Sequence, residues 1–322
     1  MRQTTIVAHG LRKSFGQVVA VDELDLEIAQ GEIFGFLGHN GAGKTTTVRL
    51  LNGVLERSAG SITVLGMDPS KDGAKIRART GVLTETPALD DRLTARETLR
   101  YFAAMFGVPR ANIHARTNEL LERMDLAERG DNKVGSFSKG MRQRLALART
   151  LLHAPEIVFL DEPTSGLDPV GAREVNQLIA TLRRENRTVF LCTHNLVEAE
   201  RLCDRMAILA QGKVLAMGTL TELASQLEYG HRTRFEIDRQ QADLAQQTLR
   251  ETWPSMQVDL LEERAFTGVA TVLLVHGGGR EGGGREQVAH MIAALSAAGV
   301  QIYRVEPDEP SLEDVYFQLE HA

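Results

Sequence analysis

Apolar and polar residues alternate through TTIVAHGLRKSF and VVAVDELDLEI, from Thr4 to about Ile28, with the two-residue period of half-buried strands. The stretch EIFGFLG, residues 32–38, drops that alternation and reads as a buried strand. From Lys44 to Asn52 the apolar residues Val48, Leu50 and Leu51 predict a helix, so the segment reads strand, glycine loop, helix. Residues from about Pro87 to His153 are rich in helical signals: Thr94 and Glu97 have the capping-box spacing ahead of TLRYFAAMF, and NIHARTNELLERMDL keeps a helical period. Apolar strands return at EIVFLDE, TVFLCTH and RMAILAQG, separated by helical runs such as GAREVNQLIATLRREN. The alternation predicts an α/β core around a buried, largely parallel sheet, ending with short strands near KVLAMGT.

From about Glu228 the order of elements changes. A strand at RTRFEID, a helix at ADLAQQTLRET, strands around MQVDLLEE and GVATVLLV, a helix at REQVAHMIAALSAAG and a strand at QIYRVE spell βαββαβ. SLEDVYFQLE follows as a helix, with Ser311 and Asp314 as its start signal. The expected organisation is a core domain over residues 1–227 with a helical insert at about 87–153, then a small C-terminal α+β domain over 228–322. The tandem repeat GGGREGGGRE, residues 277–286, has the glycine content of a mobile surface loop. HGGG at 276–279 imitates an esterase oxyanion loop, but no GxSxG nucleophile turn accompanies it, and that reading is set aside.

Composition narrows the function classes. With 322 residues, 43% hydrophobic and 25% charged, the chain can build one large domain and a small one. A net charge of -6 argues against a sequence-blind nucleic-acid binder, which carries a dominating basic field. Cys192 and Cys203 lack CxxC spacing and suit a reducing compartment as inert thiols. The opening MRQTTIVAHG has no apolar run of the secretory kind, and no window approaches the roughly 20 apolar residues that cross a bilayer. A cytosolic chain is expected, with any membrane role coming through a partner.

Two motifs carry chemistry. GHNGAGKT, residues 38–45, matches GxxxxGK[ST] between a strand and a helix, the context of a phosphate loop. Gly38, Gly41 and Gly43 let the backbone of the Gly38, His39, Asn40, Gly41, Ala42, Gly43, Lys44, Thr45, Thr46 segment wrap phosphates, Lys44 supplies a charge near the β and γ oxygens, and Thr45 offers a hydroxyl to Mg²⁺. IVFLDEP, residues 157–163, places Asp161 and Glu162 at the mouth of a buried strand, where Asp161 suits the Mg²⁺ shell and Glu162 the attacking water as general base. A helix cap ahead of Pro163 is the other use for Asp161. A third stretch, SFSKGMRQRLALAR at 136–149, offers Ser138, Lys139 and Gly140 at a helix start, a second anion cradle in a chain that already has one.

GHNGAGKT, FSKGM, LDEP, SGLD at 165–168 and His194, in that order, resemble the ATP-binding subunit of ATP-binding cassette (ABC) transporters over about two thirds of the chain. FSKGM followed by RQRLALAR is similar to the family's signature motif. The resemblance implies a P-loop ATPase fold with a helical subdomain, ATP and Mg²⁺ as ligands, and a homodimer packed head to tail. In such a dimer Ser138, Lys139, Gly140 and Met141 meet the neighbour's ATP. It further implies adenine stacking by Phe15, with a core phenylalanine as the alternative, and γ-phosphate contact by His194, with a core histidine as the alternative. Ser165 and Asp168 match the loop that relays between the two sites, a plain turn before Pro169 being their other use. Glu85, in GVLTETP, stands where the family usually has Gln and is expected near Mg²⁺ or water. Glu85, Lys139 in place of the first signature glycine, and the ending PSLEDVYFQLE resemble the ABC-2 type exporters. An ATPase subunit on the cytoplasmic side of the cell membrane is therefore expected. It would drive separate permease subunits, docked near Glu85 to Phe106, for export of a small molecule, with no nucleic acid as partner. The rivals are a soluble ABC ATPase acting on nucleic acid or ribosomes, and a P-loop kinase that would leave FSKGM and SGLD without a use.

Overall fold

The computed structural model describes residues 3–225, 232–265, 268–276, 285–308 and 310–321. The glycine repeat lies, from Gly277 to Gly284, outside the described residues. The chain divides into two compact units, one running to Leu220 and taking in the residues from Leu319 onward, the other Thr221–Gln318. The division falls at the start of a short helix, α8 (Leu220–Ser225, numbered in chain order with the elements below), ahead of the pattern change near residue 228.

In the first unit β1 (Thr4–Phe15), β2 (Val18–Ala29) and β4 (Ala59–Val64) form an antiparallel sheet in the order β2-β1-β4. A six-stranded sheet has the order β5-β6-β7-β3-β8-β9, built from β3 (Ile33–Gly38), β5 (Thr80–Leu83), β6 (Ile157–Asp161), β7 (Thr188–Thr193), β8 (Arg205–Ala210) and β9 (Lys213–Gly218). Its strands are parallel except β9. The apolar runs of β3, β6 and β7 have a plain cause, since both faces of this sheet are covered. Phe34, Phe36, Phe159 and Phe190 pack with the antiparallel sheet and with α1 (Lys44–Leu51), while Ile33, Val158, Leu160, Val189 and Leu191 pack with helices on the other side. Each such side chain, fully buried, contributes about 1.5–3 kcal/mol.

The helical insert supplies α3 (Ala95–Met105), α4 (Arg110–Arg123) and α5 (Lys139–Thr150), packed through Leu99, Leu120, Leu121 and Leu145. The capping box forms: the Thr94 hydroxyl accepts the Glu97 N–H at 3.1 Å and the Glu97 carboxylate accepts the Thr94 N–H at 2.8 Å. The remaining helices of this unit are α2 (Pro69–Arg77), α6 (Pro169–Arg184) and α7 (Leu196–Leu202).

The second unit holds β10 (Arg232–Ile237), α9 (Ala242–Thr252), β11 (Gln257–Ala265), β12 (Gly268–His276), α10 (Arg285–Ala297) and β13 (Ile302–Asp308), followed by α11 (Leu312–His321). Its antiparallel sheet has the order β11-β12-β10-β13, and Phe235, Ile237, Leu249, Leu273, Val275 and Leu295 form its core. This is the βαββαβ arrangement expected from the sequence.

Candidate functional site

Residues at and just beyond the C-terminal ends of β3, β5 and β6 converge on one cavity of about 130 Å³, the place where open parallel sheets take ligands. His39, Asn40, Gly41, Gly43, Lys44 and Thr45 line one wall; Glu85, Asp161 and Glu162 line the other. Gly43 has a φ of 107° and a Cβ there would stand 2.4 Å from the Ala20 carbonyl oxygen, so only glycine fits this turn. No side chain caps the start of α1, which leaves its first backbone N–H groups for an anion. Lys44 is buried, and its ammonium donates to the carbonyls of Gly38 and, at 3.2 Å, His39.

The oxygen donors face each other across the floor. The Thr45 hydroxyl donates to Asp161 Oδ2 at 2.8 Å. Burial pushes the Asp161 carboxyl above its ordinary range, and nearby Glu85 adds to this, against the Thr45 hydrogen bond and the Lys44 charge. A hydroxyl with two carboxylates, one of them desolvated, suits a hard cation that takes its other ligands from phosphates and water. Asp161 ends β6 and caps no helix; Asp168 does that for α6, accepting the Gly171 N–H at 2.8 Å.

Glu162 is 6% exposed and has a left-handed backbone, φ 48°, a conformation that costs a non-glycine residue about 1–3 kcal/mol. Its Oε1 accepts the His194 N–H at 3.0 Å, lies 2.8 Å from His194 Nδ1 and stands 3.8 Å from Lys44 Nζ. Its Oε2 faces the Thr193 hydroxyl at 3.4 Å. A carboxylate held this way, inside a phosphate-sized cavity, can orient and deprotonate a water. The His194 side chain is largely exposed and touches Glu162, so it is not a core histidine.

Other residues singled out from the sequence stand apart from this cavity. Phe15 ends β1 half exposed, with Lys13 Nζ over its ring at 4.9 Å; it is neither core nor part of the cavity lining. Ser138 caps α5, its hydroxyl accepting the Met141 N–H at 3.2 Å, and Ser138 and Lys139 are exposed while Gly140 and Met141 are half-buried. None of the four lines the cavity, nor do Ser165 and Asp168. Two contacts escaped sequence reasoning. The Lys139 side chain folds onto Gly166, where a Cβ would meet its Nζ at 1.9 Å, and so joins the start of α5 to the 165–168 loop. Gln143 of α5 donates to the Pro163 carbonyl at 2.7 Å and ties the same helix to the end of β6. Nothing short of the tertiary fold brings these pairs together.

A phosphate loop, an acidic strand end and a histidine behind the acid define a P-loop ATPase. The comparisons with known proteins carry this further. The family model described as ABC transporter matches residues 21–165. The daunorubicin resistance ATP-binding protein DrrA3 of Streptomyces coeruleorubidus is 36% identical over 99% of this chain and 96% of its own. The bacitracin transport ATP-binding protein BcrA of Bacillus licheniformis is 43% identical over 66% of this chain and 69% of its own. A solved ATP-binding subunit of an ABC transporter superposes with a TM-score of 0.63 at 30% identity, covering 69% of this chain and 92% of that one. The chain belongs to the ATP-binding subunits of ABC transporters, and is an ATPase of the type found among drug-resistance and antibiotic-transport relatives.

Proposed function

We propose that this chain hydrolyses ATP at composite sites shared between two copies of itself, on the cytoplasmic side of the membrane, and that it drives separate permease subunits to export a small molecule. The observation that carries the reading is the separation of two helix starts, one uncapped inside the cavity and one exposed outside it. Lys44 and Thr45 open α1 inside the cavity, while Ser138 and Lys139 open α5, exposed and outside it. A polyphosphate seated in the cavity leaves its γ-phosphate for a second surface, and the start of α5 in another copy supplies one.

In this reading the 38–46 segment holds the phosphates and Phe15 stacks on adenine. Thr45, Asp161 and Glu85 would hold Mg²⁺, which when bound offsets charge on the β and γ oxygens. Glu162 takes a proton from the attacking water while Lys44 and His194 steady the γ-phosphate. Ser138, Lys139, Gly140 and Met141 close the site from the other copy, and Ser165 and Asp168 relay its state. Loss of the γ-phosphate removes the group both faces share, so the dimer opens. The Glu85 to Phe106 region, with Tyr101 61% and Met105 57% exposed, is the surface assigned to the permease. Residues 228–322 are assigned an accessory role. Affinity purification of the tagged full chain from detergent-solubilised membranes tests the reading. Recovery of a polytopic membrane protein is expected; recovery with ribosomes or nucleic acid and no membrane protein would contradict it.

A further inference from the structure

A second buried carboxyl lies behind Glu162. Glu198, in α7, is 3% exposed. Its Oε2 accepts the Thr193 hydroxyl at 3.1 Å, and the side chains of Thr164, in the loop after β6, and Asn176, in α6, also face it. Its Oε1 is buried and makes no hydrogen bond among the described residues. The Thr193 hydroxyl thus stands between two carboxyls, 3.1 Å from Glu198 and 3.4 Å from Glu162, while it accepts the Asn195 N–H at 3.0 Å.

A hydroxyl has one proton and two lone pairs. If Glu198 is ionised it accepts the hydrogen bond of the Thr193 hydroxyl, and Glu162 Oε2 loses that donor. If Glu198 keeps its own proton, its O–H fills the free lone pair of Thr193 and the Thr193 proton turns to Glu162. The Thr193 hydroxyl and Glu162 Oε2 are then both satisfied, and the row carries one buried negative charge instead of two.

We propose that Glu198 is a positioning residue for ATP hydrolysis, a neutral acid that aims the Thr193 hydroxyl at Glu162 and ties Glu162 to the interface loop through Thr164. The proposal rests on the role of Glu162 given above. Burial raises the Glu198 carboxyl above its ordinary range, and the Glu162 charge adds to this, against hydrogen bonds from Thr164, Thr193 and Asn176. Among the described residues, other titratable groups facing this row include His194 and Lys44, both against Glu162, and the Cys192 and Cys203 thiols, which burial pushes up.

The test measures steady-state hydrolysis by the full-length chain across pH, with nucleotide affinity and thermal melting in parallel. Glu198→Gln, whose amide can still donate to Thr193, should keep kcat within about threefold, while Glu198→Ala should lose about tenfold or more with ATP affinity unchanged. Thr193→Val should lose a similar factor, and the double variant no more than the larger single loss. Wild-type kcat should fall on the alkaline side as Glu198 ionises, and that limb should be missing in Glu198→Gln. An unaltered kcat in Glu198→Ala, a Gln variant as slow as the Ala variant, or additive losses would overturn the proposal. If melting shows Glu198→Ala unfolded, identical alkaline limbs in wild type and Glu198→Gln overturn it instead. Glu162→Gln is run alongside: wild-type turnover there would remove the role of Glu162 itself, a failure distinct from that of Glu198.

Discussion

Glu162→Gln isolates the chemistry of one oxygen. The side chain keeps its shape in a site 6% exposed, and the amide oxygen can still accept the His194 N–H that now lies 3.0 Å from Oε1. What goes is the negative charge and the basicity. A positioned general base contributes about 10²–10⁴ in rate, roughly 2.7–5.5 kcal/mol of barrier at 1.36 kcal/mol per tenfold. The Lys44 ammonium, 3.8 Å from the lost charge, becomes freer to meet phosphate, so affinity should hold or rise. Phosphate release, equilibrium nucleotide binding and gel filtration with ATP and Mg²⁺ read the three consequences. Turnover should fall by about 10² or more, ATP affinity should stay within about threefold or increase, and an ATP-bound dimer should accumulate. A variant that turns over within tenfold of wild type, or elutes only as monomer with ATP, would refute the reasoning.

Gly43→Ala should weaken nucleotide binding by at least about tenfold, because its Cβ, 2.4 Å from the Ala20 carbonyl, must displace the loop; unchanged affinity by titration would count against the phosphate cradle. Phe15→Ala should raise the Kd for ATP by about 1–3 kcal/mol of lost stacking while leaving Tm unchanged, since the ring is half exposed; a drop in Tm with unaltered Kd would assign the ring to packing instead. His153 gives a pH signature. Its Nε2–H donates to the Thr80 carbonyl at 2.9 Å and its Nδ1 is buried with no hydrogen-bond partner among the described residues, and burial holds its pKa below the usual 6.5. The folded state gains stability from the neutral ring above pH 6.5 and loses it as pH falls below that value. Melting curves should show a steeper acid loss for wild type than for His153→Phe, and equal slopes would contradict the assignment.

The glycine turn before α1 and the acidic end of β6 were legible because backbone chemistry dictates them: glycines for a turn no Cβ tolerates, and apolar residues for a strand covered on both faces. The βαββαβ order was legible for the same reason, each element carrying its own period. Residues 59–83 were not read as β4, α2 and β5. In this stretch β5 has only four residues, Thr80–Leu83, and α2 carries Gly73 and a non-helical Asp72, so no local period develops. Glu198 reads in NLVEAERL as an ordinary helix-surface acid; only the packing of α7 beside β7 and α6 buries it. The contacts of Lys139 with Gly166 and of Gln143 with Pro163 join segments whose sequences say nothing of each other. Asp161 and Asp168 show the limit from the other side: both suit a helix cap by residue type, and the fold gives that place to Asp168 alone.

Sharing of each ATP between two copies is tested most directly by mixing a Lys44→Ala chain with a Ser138→Arg chain. Each alone has every composite site damaged, by a lost phosphate-loop charge or by a blocked α5 start. A mixed dimer contains one site with an intact loop from one copy and an intact α5 start from the other. Hydrolysis should therefore return on mixing, up to half the wild-type rate times the fraction of mixed dimers formed, while neither parent is active. Silence in a sample where mixed dimers are demonstrated by differential tags would contradict the shared site.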